Sequence, residues 1–235
     1  MSVHLVVRRT VRDEGTMASH VTSGRLLSLP ACGLAAPIVF TGAAFAASLK
    51  HPGYDHLKNF ISELGATGAP GAPIMNFAGF LSYGVLIMAF ALAVHRGIRA
   101  EAGGWLGPTV LALYGLAYVG VALAPCDPGC HAATPSLHHR MHVLLGDFIF
   151  LSAVLGPFTL YPRLIRDPAW RSLAVATLVL PAAAWLILEL SGIGLSGALR
   201  QRLWLLLLFI WIELISIRLI RLSAQVHPRG ATAAA

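Results

Sequence analysis

Six runs of about twenty mostly apolar residues, each bounded by turn or charge signals, set the terms for this chain. They fall at roughly 30–49, 73–94, 105–124, 141–161, 171–192 and 203–220. An α-helix rises about 1.5 Å per residue, so ~20 residues cross the ~30 Å hydrocarbon layer of a bilayer. Lipid offers no hydrogen-bond partner, so a segment of that length must satisfy its own backbone, as a helix does. The expected fold is therefore all-α, an integral membrane six-helix bundle. Composition agrees: 57% of residues are hydrophobic and 11% charged, where soluble domains carry about 25% charge. The breaks read "KHPGYDH", "HRGIRAEAGG", "APCDPGCHAATPSLHHRMH", "YPRLIRDPAW" and "GIGLSGALRQR", rich in turn formers and charge. Trp105, Trp170 and Trp204 stand at run ends, where an indole ring is expected at the membrane interface.

Charge then assigns the sides. Arg8, Arg9, Arg12, Arg25, Arg96, Arg99, Arg163, Arg166, Arg171, Arg218, Arg221 and Arg229 fall on one side, and Lys50, Lys58, Arg140, Arg200 and Arg202 on the other. The positive-inside rule puts the richer side, with both termini, in the cytoplasm. The expected plan is a disordered cytoplasmic tail over 1–29, the six-helix domain over 30–222 and a cytoplasmic tail over 223–235. Met17 offers a second translation start, and "GAAFAASLK" resembles a signal-peptidase site, although the first run is long enough to be retained as a span. The net charge of +7 is spread over short loops. That distribution, without a binding motif, argues against nucleic acid as a partner.

The outward-facing segments hold most of the chemistry. In the first outer loop, Leu57, Phe60, Ile61 and Leu64 recur at helical spacing, with Asp55 placed to cap and Gly65 to terminate. This predicts a short amphipathic helix on the outer surface, carrying Ser62 and Glu63. The third connection, also outward-facing, holds Cys126 and Cys130 around "DPG". A turn there permits a disulfide in an oxidising compartment; a metal pair and free thiols are the alternatives. His138, His139 and His142 follow at i, i+1 and i+4 of a helix start, a spacing that lets imidazoles share zinc or another divalent metal. No glutamate lies between them as in an HExxH motif. Three acids fall within apolar runs: Asp147, Glu189 near the outer end of the fifth and Glu213 near the middle of the sixth. Such groups are costly in lipid and mark function or pairing. For Glu213 the nominated partners are Tyr114, Tyr118 and Asn76.

Three motifs, "ISELGATGAPGAPIMNFAGF" (61–80), "APCD…HHRMH" (124–142) and "GLSGALRQRLW" (194–204) with Trp211 beyond, resemble a bacterial and archaeal membrane-protein family catalogued as domain of unknown function 998. The resemblance implies a six-helix bundle in a bacterial-type inner membrane and supplies no activity. It implies signature positions at Ser62, Gly65, Asn76, Pro125, Asp127, one histidine of the 138–142 cluster, Gln201 and Arg202. The cysteine pair departs from the family pattern.

All three motifs fall on the outer side of the topology, so residues distant in sequence converge on one face. Four readings follow. In the first, an outer-face hydrolase or transferase acts on a lipid or envelope substrate. His138, His139 and His142 hold a metal with Asp147 as their orienter or as base, Glu63 or Asp127 completes the catalytic site, and Ser62, Asn76, Gln201 and Arg202 bind substrate. In the second, the polar face belongs to a non-catalytic module docking a lipid or protein. The third is a small proton-coupled transporter using Asp147, Glu189 and Glu213. The fourth, a haem protein, needs histidines facing across the bundle, and beyond the outer cluster the outer loops offer only the peripheral His51, His56 and His131.

Overall fold

The computed structural model describes residues 28–98, 104–190, 192 and 194–226. The tail expected over 1–29 lies outside the described residues up to position 27, and the C-terminal tail does so from 227. Six helices are long and apolar enough to cross a membrane: α1 (Ser28–Ser48), α2 (Ile74–Gly97), α3 (Leu106–Leu123), α4 (Leu137–Arg166), α5 (Arg171–Glu189) and α6 (Gly197–Gln225). No strand occurs among the described residues. The six runs read from sequence each became one of these helices.

The ends differ from expectation in two helices. α4 is 30 residues long, and α6, whose last helical residue is Val226, is also 30, about 45 Å of helix each where ~30 Å of hydrocarbon must be crossed. The surplus turns of α4 carry the histidines, and those of α6 carry Gln201 and Arg202. α6 also continues through residues 223–226, which the sequence reading placed in a tail. The tryptophans differ as well. Trp105 is exposed as an interfacial ring would be, but Trp170 and Trp204 are each 1% exposed and belong to the core.

Consecutive helices pack as neighbours, α2 on α3, α3 on α4, α4 on α5 and α5 on α6. Small residues permit the closest approaches. A Cβ on Gly84 of α2 would fall 2.5 Å from the Gly115 carbonyl of α3, and one on Gly115 would fall 2.7 Å from the Gly84 carbonyl. Where lipid removes the hydrophobic drive, such backbone proximity supplies dispersion contact between helices. At the centre, Phe40, Phe80, Tyr83, Tyr118 and Phe209 pack ring against ring at centroid distances of 4.6 to 6.2 Å. Tyr83 and Tyr114 pair their hydroxyls at 3.0 Å. Trp211 of α6 donates its indole N–H to Thr177 of α5 at 3.1 Å.

The two ends of the bundle are built differently. At one, arginines hydrogen-bond helix-terminal and loop carbonyls: Arg163 donates to Ile98, and Arg218 donates to Ala169 at 2.6 and 2.8 Å. Cations there also meet the negative ends of helix dipoles. At the other, polar end, the 49–73 and 124–136 connections meet, and Ser196 before α6 donates to the Leu57 carbonyl. Thr67 donates its N–H to the Cys126 carbonyl at 2.9 Å, joining the two connections.

Candidate functional site

The segment 54–67 closes the polar end, and only its second half is helical. Ile61–Gly65 is a 3-10 helix of five residues, shorter than the amphipathic helix expected from Asp55. The reason lies in the side chains. Asp55 turns the chain early, accepting from the Leu57 N–H at 2.8 Å, as carboxylates do in turns that compete with helix. Glu63 accepts from the Phe60 N–H and from Asn59 Nδ2, both at 2.7 Å. Both Glu63 oxygens are therefore spent on the segment's own fold. Ile61 and Leu64 are buried beneath it, while Leu57 remains exposed.

Polar residues of the transmembrane helices hold this segment down. Gln201 Oε1 accepts from the Ile61 N–H at 3.0 Å. Arg202 donates to the Asn59 carbonyl at 2.9 Å and to Tyr54 Oη at 2.7 Å. Asn76 donates to the Gly65 carbonyl at 2.9 Å. Asn76 sits in a π-helical opening of α2 over Ile74–Leu81, a wider turn than α that frequently marks functional positions. Periodicity gave no sign of that opening.

The 124–142 segment is folded onto itself. Cys126 and Cys130 are joined by a disulfide, with Cα atoms 5.1 Å apart, and Gly129 takes the positive φ of 68° that the turn requires. Asp127 Oδ2 accepts from the Ser136 N–H at 2.9 Å. That bond holds its carboxyl below the usual carboxylate range. The Asp127 N–H donates to His139 Nδ1 at 3.2 Å. The same ring nitrogen lies 3.7 Å from Asp127 Oδ2, so His139 Nδ1 is turned to the Asp127 loop.

The three histidines diverge. His138 lines an outward groove between α3 and α4 with Leu123, Leu137 and Met141. His139 is committed to Asp127. His142 places Nδ1 3.0 Å from the Ala124 carbonyl. A carbonyl only accepts, so Nδ1 carries the proton and the His142 Nε2 lone pair is free. A zinc ion held by all three rings does not fit this arrangement. Among the described residues, the ligand-type atoms that do gather within 4.8 Å belong to Cys126, Cys130 and His142, and the disulfide occupies both sulfurs.

Beneath the 54–67 segment lies a cavity of about 250 Å³. His142, Asp147, Ser62 and Gln201 supply its polar groups, and Phe40, Tyr118, Phe150 and Leu205 are among its walls. It opens between α4 and α6, which are not a closely packed pair and which meet there through the Phe150 and Trp204 rings at 4.7 Å. A Cβ on Gly146 of α4 would meet nothing within 4 Å, so that edge is open. Asp147 is exposed beside it and makes no hydrogen bond or ion pair among the described residues. Trp204 also lines the cavity, and its buried indole Nε1 has no hydrogen-bond partner among the described residues.

Other nominated residues lie elsewhere. Arg202 faces a second groove, apart from Gln201. Glu189 is exposed and Glu213 half-buried, and neither lines the cavity or makes a hydrogen bond among the described residues. The partners nominated for Glu213 are engaged differently, Tyr114 with Tyr83 and Asn76 with Gly65.

The model of a family described as "Protein of unknown function (DUF998)" matches residues 34–218. The chain belongs to that family. No curated protein and no solved structure matches. The DUF998 match spans the bundle from the first turns of α1 to the last turns of α6. It takes in the fastened 54–67 segment, the His142 ring and every residue named on the cavity wall. The disulfide lies at the rim, beside His142 and outside the cavity lining.

Proposed function

We propose that this DUF998 protein takes an amphiphile from the adjacent leaflet into the α4–α6 cavity and acts on its polar portion, as a hydrolase or transferase. The observation that carries this reading is the orientation of His142. Its Nδ1–H is anchored on the Ala124 carbonyl and its unprotonated Nε2 is left on a ring that lines the cavity. An imidazole fixed in one tautomer is suited to accept a proton from water or a hydroxyl. Asp147 supplies a second titratable group on the same wall. The aromatic and aliphatic walls suit an acyl or prenyl chain. The basic-residue asymmetry supports a reading in which this end lies outside the cytoplasm, which suits a lipid or envelope substrate in a bacterial-type inner membrane.

One observation favours non-catalytic lipid binding instead: Glu63, Asp127, Gln201 and Asn76 are all engaged in internal hydrogen bonds. One experiment separates the two. Reconstituted wild-type, His142→Ala and Gly146→Trp proteins are incubated with a total bacterial lipid extract, and composition is followed by mass spectrometry. An enzyme consumes one lipid class in the wild type and in neither variant. A binder retains a lipid in the wild type and in His142→Ala without consuming it. Gly146→Trp, which fills the opening, is expected to abolish both effects. Retention or turnover surviving in Gly146→Trp rejects the cavity as the site.

A further inference from the structure

A second groove of about 310 Å³ runs along the opposite side of the wall formed by Phe40, Ile61 and Leu205, residues that line both spaces. Its other walls come from α1 and α6, with Ala44, Phe45, Leu206 and Phe209 among them. Phe45 and Leu206 are more than half exposed, so the groove lies open along the lipid-facing side of the bundle. Its polar mouth is formed by Tyr54, His56 and Arg202.

The Arg202 guanidinium is half-buried at that mouth and has no carboxylate partner among the described residues. Its hydrogen bonds all go to neutral oxygens: Asn59 carbonyl at 2.9 Å, Ala198 carbonyl at 3.0 Å and Tyr54 Oη at 2.7 Å. Nη1 makes two of these bonds and Nη2 one. A guanidinium has five N–H donors, so Nε–H and one Nη2–H remain for a ligand. Glu63 is near enough to act on Tyr54 electrostatically, but its oxygens are held by Phe60 and Asn59. A cation kept charged and partly desolvated, with two donors unspent, suits a phosphate oxygen pair. The apolar groove beneath it suits the chain attached to that phosphate.

We propose that this α1–α6 groove is a binding site for an anionic phospholipid of the membrane, its phosphate on Arg202 with His56 alongside and one acyl chain along Ala44, Phe45, Leu206 and Phe209. The site is separate from the His142 cavity and does not depend on the activity proposed there. A lipid seated in it reinforces the closure of the polar end, because Arg202 also holds Asn59 and Tyr54 of the covering segment.

The test is native mass spectrometry of the detergent-purified full chain, titrated with phosphatidylglycerol or phosphatidylcholine of matched chains. Both lipids offer the phosphate, but the trimethylammonium of phosphatidylcholine neutralises it and is repelled by Arg202, so phosphatidylglycerol is expected to bind about tenfold tighter. Ala44→Trp, which blocks the chain groove and leaves Arg202 in place, is expected to lose the tight phosphatidylglycerol site. Arg202→Gln is expected to bring the two lipids within about twofold of each other. Gly146→Trp, which closes the other cavity, is expected to leave the preference unchanged. Inorganic phosphate at millimolar concentration is expected not to displace the lipid. The proposal is overturned if the preference is absent in wild type, survives in Ala44→Trp, disappears in Gly146→Trp, or is competed away by phosphate alone. If Arg202→Gln does not fold, Ala44→Trp decides alone.

Discussion

Asn76 and Gly65 fit together with no room between them. The Asn76 amide donates to the Gly65 carbonyl at 2.9 Å, and a Cβ on Gly65 would lie 2.3 Å from Asn76 Oδ1. The same hypothetical Cβ would lie 3.0 Å from the Phe80 ring. Gly65 is needed here for close approach; its backbone conformation is one that any residue adopts. The contact seats the end of the 3-10 turn on the π-helical opening of α2, and so fixes the roof of the His142 cavity.

Gly65→Ala is therefore expected to destabilise the protein by about 1–3 kcal/mol, the usual range for forcing a methyl group into a packed site. Asn76→Ala relieves the crowding but leaves the buried Gly65 carbonyl unpaired, at a cost of about 1–3 kcal/mol. The double variant is expected to lose less than the sum, because the two residues share one contact. Thermal unfolding in detergent of all four proteins measures the coupling. Strict additivity would show that the contact does not hold the roof.

The bundle was legible in the sequence because each span writes itself as an uninterrupted apolar run. The polar end was legible only as a collection of residues. Gln201 and Arg202 are adjacent in sequence, yet successive helical positions are about 100° apart, and the two side chains face different cavities. The 57–64 pattern does place Ile61 and Leu64 inward, but Asp55 and Glu63 each bind nearby backbone N–H groups and shorten the helix. Histidine spacing suggested a shared metal. What separates the rings is a loop that folds back, bringing Ala124 and Asp127 to them, and no spacing rule encodes that return. Trp170 and Trp204 sit at span ends as interface residues do, and tertiary packing buries them.

The topology read from charge has a direct check. Reporter fusions at Ala132 and after Ala235 are expected to be active on the periplasmic and cytoplasmic sides respectively. A periplasmic C-terminus reverses the assignment, and with it the leaflet from which the cavity is filled.

The disulfide links positions four apart, closing a loop of about five residues. Loop entropy assigns such a short link at most about 2 kcal/mol. Cys126→Ser with Cys130→Ser is expected to fold and to lose no more than that. In intact wild-type protein, alkylation at either position is expected to require prior reduction. Labelling at both without reductant would show free thiols instead.

Asp127 predicts a pH response confined to its loop. The Ser136 N–H bond lowers its folded pKa below the unfolded value, with His139 and His138 adding to the effect. A depressed carboxylate contributes stability above its unfolded pKa and loses it as pH falls through the folded pKa. Protection of the Ser136 amide, its exchange rate relative to that of an unprotected amide at the same pH, is therefore expected to be high near neutrality and to fall once pH drops below the ordinary carboxylate range. Asp127→Asn is expected to flatten that profile without unfolding the bundle. An unchanged profile in the variant removes Asp127 as its cause.

The last prediction sets the His142 ring against the deep acid. His142 lies five residues into α4, about 8 Å along the helix from its start, where a substrate headgroup can reach it. Glu213 stands sixteen residues into α6, about 24 Å along that helix, and lines none of the cavities at the polar end. If His142 Nε2 is the working atom, His142→Ala removes turnover while the fold persists, because truncation removes one hydrogen bond to a loop carbonyl, worth about 1 kcal/mol. His142→Gln keeps a polar group near Ala124 but cannot act as a base near neutral pH, so it is expected to be as inactive as alanine. Glu213→Gln is expected to leave turnover intact and change stability alone. His138→Ala is expected to behave as wild type, since its ring faces the α3–α4 groove. The measurement is lipid turnover by each reconstituted variant beside its melting temperature. A folded His142→Gln protein with full activity sinks the base assignment. Loss of function in Glu213→Gln alone moves the chemistry to the membrane interior, where a proton path and not a surface reaction would have to be sought.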